Sequence, residues 1–287
     1  MRTHVARTAA LAAAALLALG ACASDNGGGG GGGATAGDFP EGSTMARLAE
    51  AGAVKVGTKF DQPLFGLVGP DGVPEGFDVE IAKIIASELG IGEDGITWEE
   101  TVSAVREDAI ANGTVDFVVA TYTINDTRKE KISFAGPYYV AGQALLTLKE
   151  NTDIQGVDDI AGKKICTVSG STPEQNLLEN YPEAEVVPFA AYSDCLEPLR
   201  NNQVDAISTD NVILAGFAAE NDDLEVRGDQ FTDEPYGIGL AKDDTDFRNF
   251  INDVLEKAYE DGRWAEAWEK TAGTVLPTPE PPAVDRY

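Results

Sequence analysis

The chain has 287 residues, 49 of them acidic and 21 basic, for a formal charge of −28, and it carries a single histidine. So acidic a surface repels nucleic acid and anionic lipid headgroups, which excludes both as binding partners. The length suffices for one large domain or two smaller lobes.

Residues 1–21 read as a signal peptide, with a positive n-region in MRTHVAR and a short apolar h-region in TAALAAAALLALGAC. The apolar run is too short and too alanine-rich for a comfortable membrane span. It ends in Leu19-Gly20-Ala21-Cys22, which resembles the bacterial lipobox and implies that Cys22 becomes the lipidated first residue; a stray cysteine beside a cleavage site is the alternative. Cleavage would remove Arg2, Arg7 and His4, moving the formal charge from −28 to −30 and leaving no histidine. A mature chain without histidine has neither a Ser-His-Asp or Cys-His mechanism nor a His-ligated zinc site. Residues 22–38, dominated by glycine, have nothing to bury and are expected to form a lipid-anchored flexible tether.

The folded body is expected to start near Phe39. Its first unit predicts a strand within 53–60, then a helix over FDVEIAKIIASELG, where Phe77, Ile81, Ile84, Ile85 and Leu89 recur at helical spacing and Gly90 closes the run. A strand at 96–98, a helix over 101–112 and a strand in 115–121 follow. A second unit repeats the order: strand in 163–170, helix in 171–181, strand in 184–189, helix in 193–202, strand in 204–210. Val115-Asp116 precedes Thr121 by the same offset as Val204-Asp205 precedes Asp210, so corresponding strands each end on a polar residue. Parallel strands joined by helices bind ligands at their carboxyl ends, and two such edges face to face make a cleft.

These units predict an α/β chain of two lobes. Lobe 1 takes 39–142 and 237–273, lobe 2 takes 143–236, and 274–287 forms a Pro-rich tail. Two crossovers, Gly142-Gln143-Ala144 and Glu234-Pro235-Tyr236, would serve as the hinge. The return segment is an amphipathic helix with Phe247, Phe250, Ile251, Val254, Leu255, Ala258 and Tyr259 on one face, assigned to lobe 1. Trp264 and Trp268 read as core anchors, and Phe134, Tyr138 and Tyr139 as lobe packing. Cys166 and Cys195 form an even pair in an exported chain, which favours a disulfide over two buried thiols. Two thiolates without histidine are too few for a metal site.

In order along the chain, GFDVEIAK, ATYTINDTRKEKISFAGPYY, VSGSTPEQN, STDNVILAG and YGIGLAKDD together resemble the bacterial extracellular solute-binding proteins, family 3, of amino-acid ABC transporters. The resemblance spans about residues 50–273 and is nearest to the actinobacterial glutamate-binding lipoprotein type. It implies a periplasmic-binding-protein-like fold of type II with a free amino acid clasped in the interlobe cleft. Arg128 would pair bidentately with the α-carboxylate, Thr121 and Thr123 would add donors, Ser171 and Thr172 would close over the same group, and Asp210 would accept the α-ammonium. Each has a local reading beside it. Thr123-Ile-Asn-Asp126 looks like an N-cap, Gly170-Ser171-Thr172-Pro173-Glu174 a capping box with Pro at the first helical position, and Asp210 a turn former.

Ser103-Ala-Val-Arg106 sits where acidic-amino-acid binders of the family present a Ser and an Arg to the distal carboxylate, although related members often have Asn where this chain has Val105. Lys59 is a second cation for that end. The alternatives are a solvated strand end for Lys59 and a surface pair with Glu99 or Glu107 for Arg106. Together they favour a dianionic ligand, because a buried cation facing a neutral side chain lacks a partner. Phe60 is a candidate to pack on the ligand's stem or in the core, and Tyr192 a candidate phenol donor from lobe 2.

The expected protein is therefore a substrate-binding lipoprotein that delivers glutamate or aspartate to a membrane ABC permease. It would be monomeric, lack cofactor, metal and catalytic residues, and be anchored by lipid to the outer face of the cytoplasmic membrane. Rival readings are a glutamine, asparagine or broader polar amino-acid binder, a dehydratase-type enzyme on the same fold, and a sensory module.

Overall fold

The computed structural model describes residues 34–287; the expected signal peptide, Cys22 and most of the expected tether lie outside the described residues. The last residues of that tether, Ala36–Asp38, form a 3-10 turn, and the ring of Phe39 meets Phe250 edge-on at 5.5 Å.

Each lobe is built on a five-stranded mixed sheet. In lobe 1 the spatial order is Ile96–Glu100, Val54–Thr58, Phe117–Val118, Glu234–Leu240, Ser133–Ala141. The first three strands are parallel, and Glu234–Leu240 runs antiparallel to both its neighbours. Lobe 2 repeats the plan with Glu185–Phe189, Lys164–Val168, Ala206–Asp210, Gln143–Leu148, Leu224–Arg227, where Gln143–Leu148 is the antiparallel member. In each lobe, then, the antiparallel strand is the one that has just crossed from the other lobe.

The repeated Val-Asp offset has a physical basis. Asp116 accepts the Lys55 N–H through its carboxylate at 2.9 Å and donates its own N–H to the Lys55 carbonyl at 2.8 Å. Asp205 does the same to Lys164, at 2.7 and 2.8 Å. Each aspartate thus clamps the third parallel strand onto the first, fixing the register of the strand end that follows.

Several elements differ in extent from the sequence expectation. The strand expected over 115–121 is confined to Phe117–Val118, because Thr121 turns into the left-handed region at φ 46°. The helices expected over 101–112 and 193–202 both open with a 3-10 turn, Ser103–Val105 and Ser193–Cys195, before Arg106–Ala111 and Leu196–Arg200. Glu234, Pro235 and Tyr236, expected as a connector, pair with Ala141, Val140 and Tyr139 inside the lobe 1 sheet. A small antiparallel sheet of Asp61–Gln62, Gly66–Val68 and Pro74–Glu75 had no sequence signal, its strands being too short for any period to show.

Apolar burial holds the lobes together in the expected way. Helix Thr245–Asp261 buries Phe247, Ile251, Val254, Leu255 and Ala258. Trp264 and Trp268 are buried and stacked at 6.2 Å between ring centroids, and Trp264 Nε1 donates to the Tyr138 carbonyl at 2.9 Å. The tail folds back on lobe 1, where the Phe134 N–H donates to the Tyr287 hydroxyl at 2.8 Å and Arg286 pairs with Asp253 and Glu256.

Cys166, on Lys164–Val168, is bonded to Cys195 with 5.9 Å between the Cα atoms, closing a separation of 29 residues. A crosslink of that span restricts the unfolded chain by about 3 kcal/mol. Replacing both cysteines with serine is expected to lower the unfolding free energy in urea by about that amount, leaving the far-ultraviolet spectrum native.

Candidate functional site

Three cations meet at the carboxyl edge of the lobe 1 sheet. Lys59, directly after Val54–Thr58, is buried and donates from Nζ to Ser103 Oγ at 3.0 Å. Arg106, the first residue of its helix, is also buried, donates from Nη1 to the Ala120 carbonyl at 2.8 Å and lies 4.0 Å from the centroid of the Tyr122 ring. Arg128 sits 5.1 Å from the same centroid. It donates from Nη1 to the Thr123 carbonyl at 2.6 Å and, across the cleft, from Nη2 to the Gly170 carbonyl at 3.1 Å. Among the described residues, Arg128 is the one member of the trio with a carboxylate in ion-pair range, Glu107 at 3.3 Å from Nε. Burial, followed by the charge of Arg106, pushes Lys59 down to about 7 and Arg128 down to about 10.

Two buried acids answer them. Asp78, in the first turn of helix Phe77–Glu88, accepts from the Tyr138 hydroxyl at 2.6 Å and from the Thr121 N–H at 2.7 Å. Asp210, at the end of Ala206–Asp210, accepts from the Tyr236 hydroxyl at 2.6 Å. Burial raises both carboxyls to about 7, and the neighbouring Glu234 adds to the rise at Asp210.

The threonines and serines take distinct positions. A β-branched residue at positive φ is strained, and Thr121 is held there by Asp78 on its N–H and by Gln62, whose Oε1 accepts from Thr121 Oγ1 at 3.0 Å. Both donors of Thr121 are thereby engaged within lobe 1. Thr123 accepts from the Thr172 hydroxyl across the cleft at 3.1 Å. The cap of helix Asp126–Lys129 is Asn125, which accepts the Arg128 N–H at 2.9 Å, and not Thr123, whose backbone bridges to Tyr236. Ser171 caps Thr172–Asn180, accepting from the Glu174 N–H at 3.1 Å, while Glu174 reaches back to the Gly170 N–H at 2.7 Å. Tyr192 is buried with its phenol among the hydroxyls of Ser171, Thr209 and Thr167. Phe60 is half-buried and stands outside the hydrophobic clusters of the described residues.

Buried polar atoms without a protein partner include Thr58 Oγ1, Gln62 Nε2 and Arg106 Nε from lobe 1, Thr167 Oγ1, Thr209 Oγ1 and Asp210 Oδ1 from lobe 2, and Glu234 Oε2. Each such group costs about 1–3 kcal/mol, and native interiors hold few. Four of these, on Thr58, Thr167, Thr209 and Asp210, stand at or near the carboxyl ends of sheet strands, a surface chemically suited to a small, multiply charged polar molecule.

Sequence reasoning missed Asp78, Gln62, Tyr122, Glu234 and Tyr236. One signal was legible: Asp78 stands three and seven residues before Ile81 and Ile85, so helical spacing alone puts it on the buried stripe. The remaining four come from a two-residue strand (Gln62), a loop (Tyr122) and the crossover strand Glu234–Leu240 (Glu234 and Tyr236), where no period operates.

Gly170 has φ +77°, and a Cβ there would meet Ala104 Cα of the opposite lobe at 2.9 Å. Gly170→Ala is therefore expected to obstruct lobe closure and weaken ligand affinity at least tenfold, read by titration, with a smaller change in the thermal midpoint of the free protein. The charge state of Lys59 gives a second expectation. With an unfolded value of 10.5 and a folded value of about 7, its stability contribution is complete above 10.5 and lost as pH falls through 7. Lys59→Met should raise the thermal midpoint of the ligand-free protein at pH 7, and that gain should shrink by pH 10.

Residues 54–274 match the bacterial extracellular solute-binding proteins, family 3. Over 248 residues the chain is 40% identical to the glutamate-binding protein GluB of Corynebacterium glutamicum, covering 83% of this chain and 84% of that one. Over 229 residues it is 40% identical to the ABC transporter glutamine-binding protein GlnH of Bacillus subtilis, covering 79% and 84%. Among solved structures, an ancestral amino acid-binding protein that is a precursor of cyclohexadienyl dehydratase superposes with a TM-score of 0.74 at 30% identity, covering 80% of this chain and 99% of that one. The succession of motifs, the paired sheets and these matches agree, and the chain belongs to the bacterial extracellular solute-binding proteins of family 3.

Proposed function

We propose that this protein is the substrate-binding component of an ABC importer for acidic amino acids, glutamate foremost and aspartate second. The observation that carries the choice of an acidic ligand is the pair Lys59 and Arg106, two buried cations with no carboxylate in ion-pair range among the described residues. A dianionic amino acid supplies the missing charge, whereas an amide leaves both cations uncompensated in a low-dielectric cleft. The relatives named for glutamate and for glutamine are equally similar, so the preference rests on these two side chains.

In this reading Arg128 holds the α-carboxylate. Its guanidinium has five N–H groups, and its bonds to Thr123, Gly170 and Glu107 leave one on each terminal nitrogen. Thr123, Ser171 and Thr172 surround the same group, with Thr121 shaping the strand end behind it. Asp210, whose Oδ1 has no protein partner, accepts the α-ammonium. Lys59, Arg106 and Ser103 take the distal carboxylate, Phe60 covers the aliphatic stem, and Tyr192 closes the wall from lobe 2. Ligand contacts to both lobes favour the closed form by their differential affinity. Capture needs no bond to break, so the reading assigns no enzymatic role.

Cys22 would carry the lipid that anchors a monomeric receptor at the outer face of the cytoplasmic membrane, beside its permease. No described helix is long and apolar enough to cross a membrane. A dehydratase-type enzyme has one observation in its favour, the groups Lys59, Asp78 and Asp210 held near 7, where a general acid or base works best. Turnover of a small acid by the purified protein would establish it.

Calorimetric titration with glutamate, aspartate, glutamine and asparagine tests the main reading. Glutamate is expected to bind tightest, with glutamine at least tenfold weaker, and Lys59→Met is expected to erase most of that difference. Equal binding of glutamine and glutamate would remove Lys59 and Arg106 from the distal-carboxylate role.

A further inference from the structure

Four successive residues, Lys59-Phe60-Asp61-Gln62, cross from the first strand into the small sheet, and the proposed ligand contacts use only the first two. Gln62 supports Thr121. Asp61 points the other way, across to lobe 2, where its Oδ2 accepts two consecutive backbone N–H groups, Tyr192 at 2.9 Å and Ser193 at 3.3 Å. Those donors open the 3-10 turn Ser193–Cys195. The turn is fastened to the lobe 2 sheet through the Cys166–Cys195 disulfide, so the donors are presented from a rigid base.

We propose that Asp61 is a positioning residue for capture: a latch that stabilises the closed arrangement of the lobes without touching the ligand. The inference rests on the reading above that the ligand is held by lobe closure. Among the described residues, the other side-chain hydrogen bonds across the cleft, Arg128 to Gly170, Thr172 to Thr123 and Tyr236 to Asp210, each involve a side chain assigned to the ligand. The bonds of Asp61 alone involve none, since its partners are two backbone N–H groups. In the open arrangement its carboxylate is hydrated; closure exchanges that water for two charge-assisted N–H bonds. Stabilising the binding-competent state this way raises apparent affinity by holding the ligand longer, whatever side chain the ligand carries. The latch also brings the Tyr192 ring onto the cleft wall, since the N–H it grips is that residue's own.

Stopped-flow kinetics with glutamate on the full chain tests this. Asp61→Ala is expected to raise the release rate about tenfold while the association rate and the thermal midpoint of the ligand-free protein stay as in the wild type. Asp61→Asn, whose side-chain carbonyl still accepts, is expected to recover part of the loss. An unchanged release rate, a defect carried by association, or equal losses in the two variants would overturn the latch, the last because it would trace the effect to the charge of Asp61 on nearby Lys59. If the wild type fails to bind glutamate, the acidic-ligand reading fails first. The latch is then read with whichever of aspartate, glutamine and asparagine the wild type binds, release from Asp61→Ala being expected about tenfold faster and the latch overturned if the two rates are equal.

Discussion

Mutual repulsion among Lys59, Arg106 and Arg128, all withheld from water in one cleft, is the constraint around which this molecule is arranged. Burial disfavours the charged forms and leaves the repulsion from Arg106 weakly screened, and Lys59 responds by dropping to about 7. The surrounding groups moderate the cost without removing it. The Tyr122 ring lies against both arginines, backbone carbonyls of Ala120, Thr123 and Gly170 accept their N–H groups, and Glu107 pairs with Arg128. A fold optimised for stability alone would place apolar side chains here. The residual imbalance is what a small anion can relieve, and so the site's stability cost and its affinity are the same electrostatic term seen from two sides.

The rest of the architecture follows from keeping those groups in place. Asp116 and Asp205 lock equivalent strands to their neighbours, and the polar residues that follow are Thr121, in the turn just past its strand in lobe 1, and Asp210, at the end of its strand in lobe 2. Asp78 then joins helix Phe77–Glu88, the strained Thr121 and Tyr138 of strand Ser133–Ala141 into one buried network. Tyr236, on the returning strand, donates likewise to Asp210. The strands leaving and re-entering lobe 1 thus each donate a tyrosine hydroxyl to a buried carboxylate, which links the hinge directly to the acids of the cleft.

Much of this is legible in the sequence. The strand and helix order, the duplicated unit, the amphipathic return helix and the tryptophan anchors all express periodicities of 2 or 3.6 residues that burial enforces over many positions. Positions whose role turns on one residue's local conformation are not legible there, because distant segments decide that conformation. Thr123 fits a helix cap by pattern; it is claimed by a bridge to Tyr236, more than a hundred residues later, and the cap falls to Asn125. Thr121 looked like a free donor, and its strained backbone instead turns both its donors onto lobe 1 partners.

By itself the sequence determined the two-lobe α/β plan, the cations available and the family, because hydrophobic period and ordered motifs are properties of neighbouring residues. Only the tertiary structure decided which charges go uncompensated. That Arg106 turns inward onto Tyr122 while Glu107 pairs with Arg128, that Glu234 stands close enough to raise Asp210, and that Asp61 grips the opposite lobe all depend on distances between segments remote in the chain. Electrostatic energies vary with those distances and with burial, and neither quantity is written in local order.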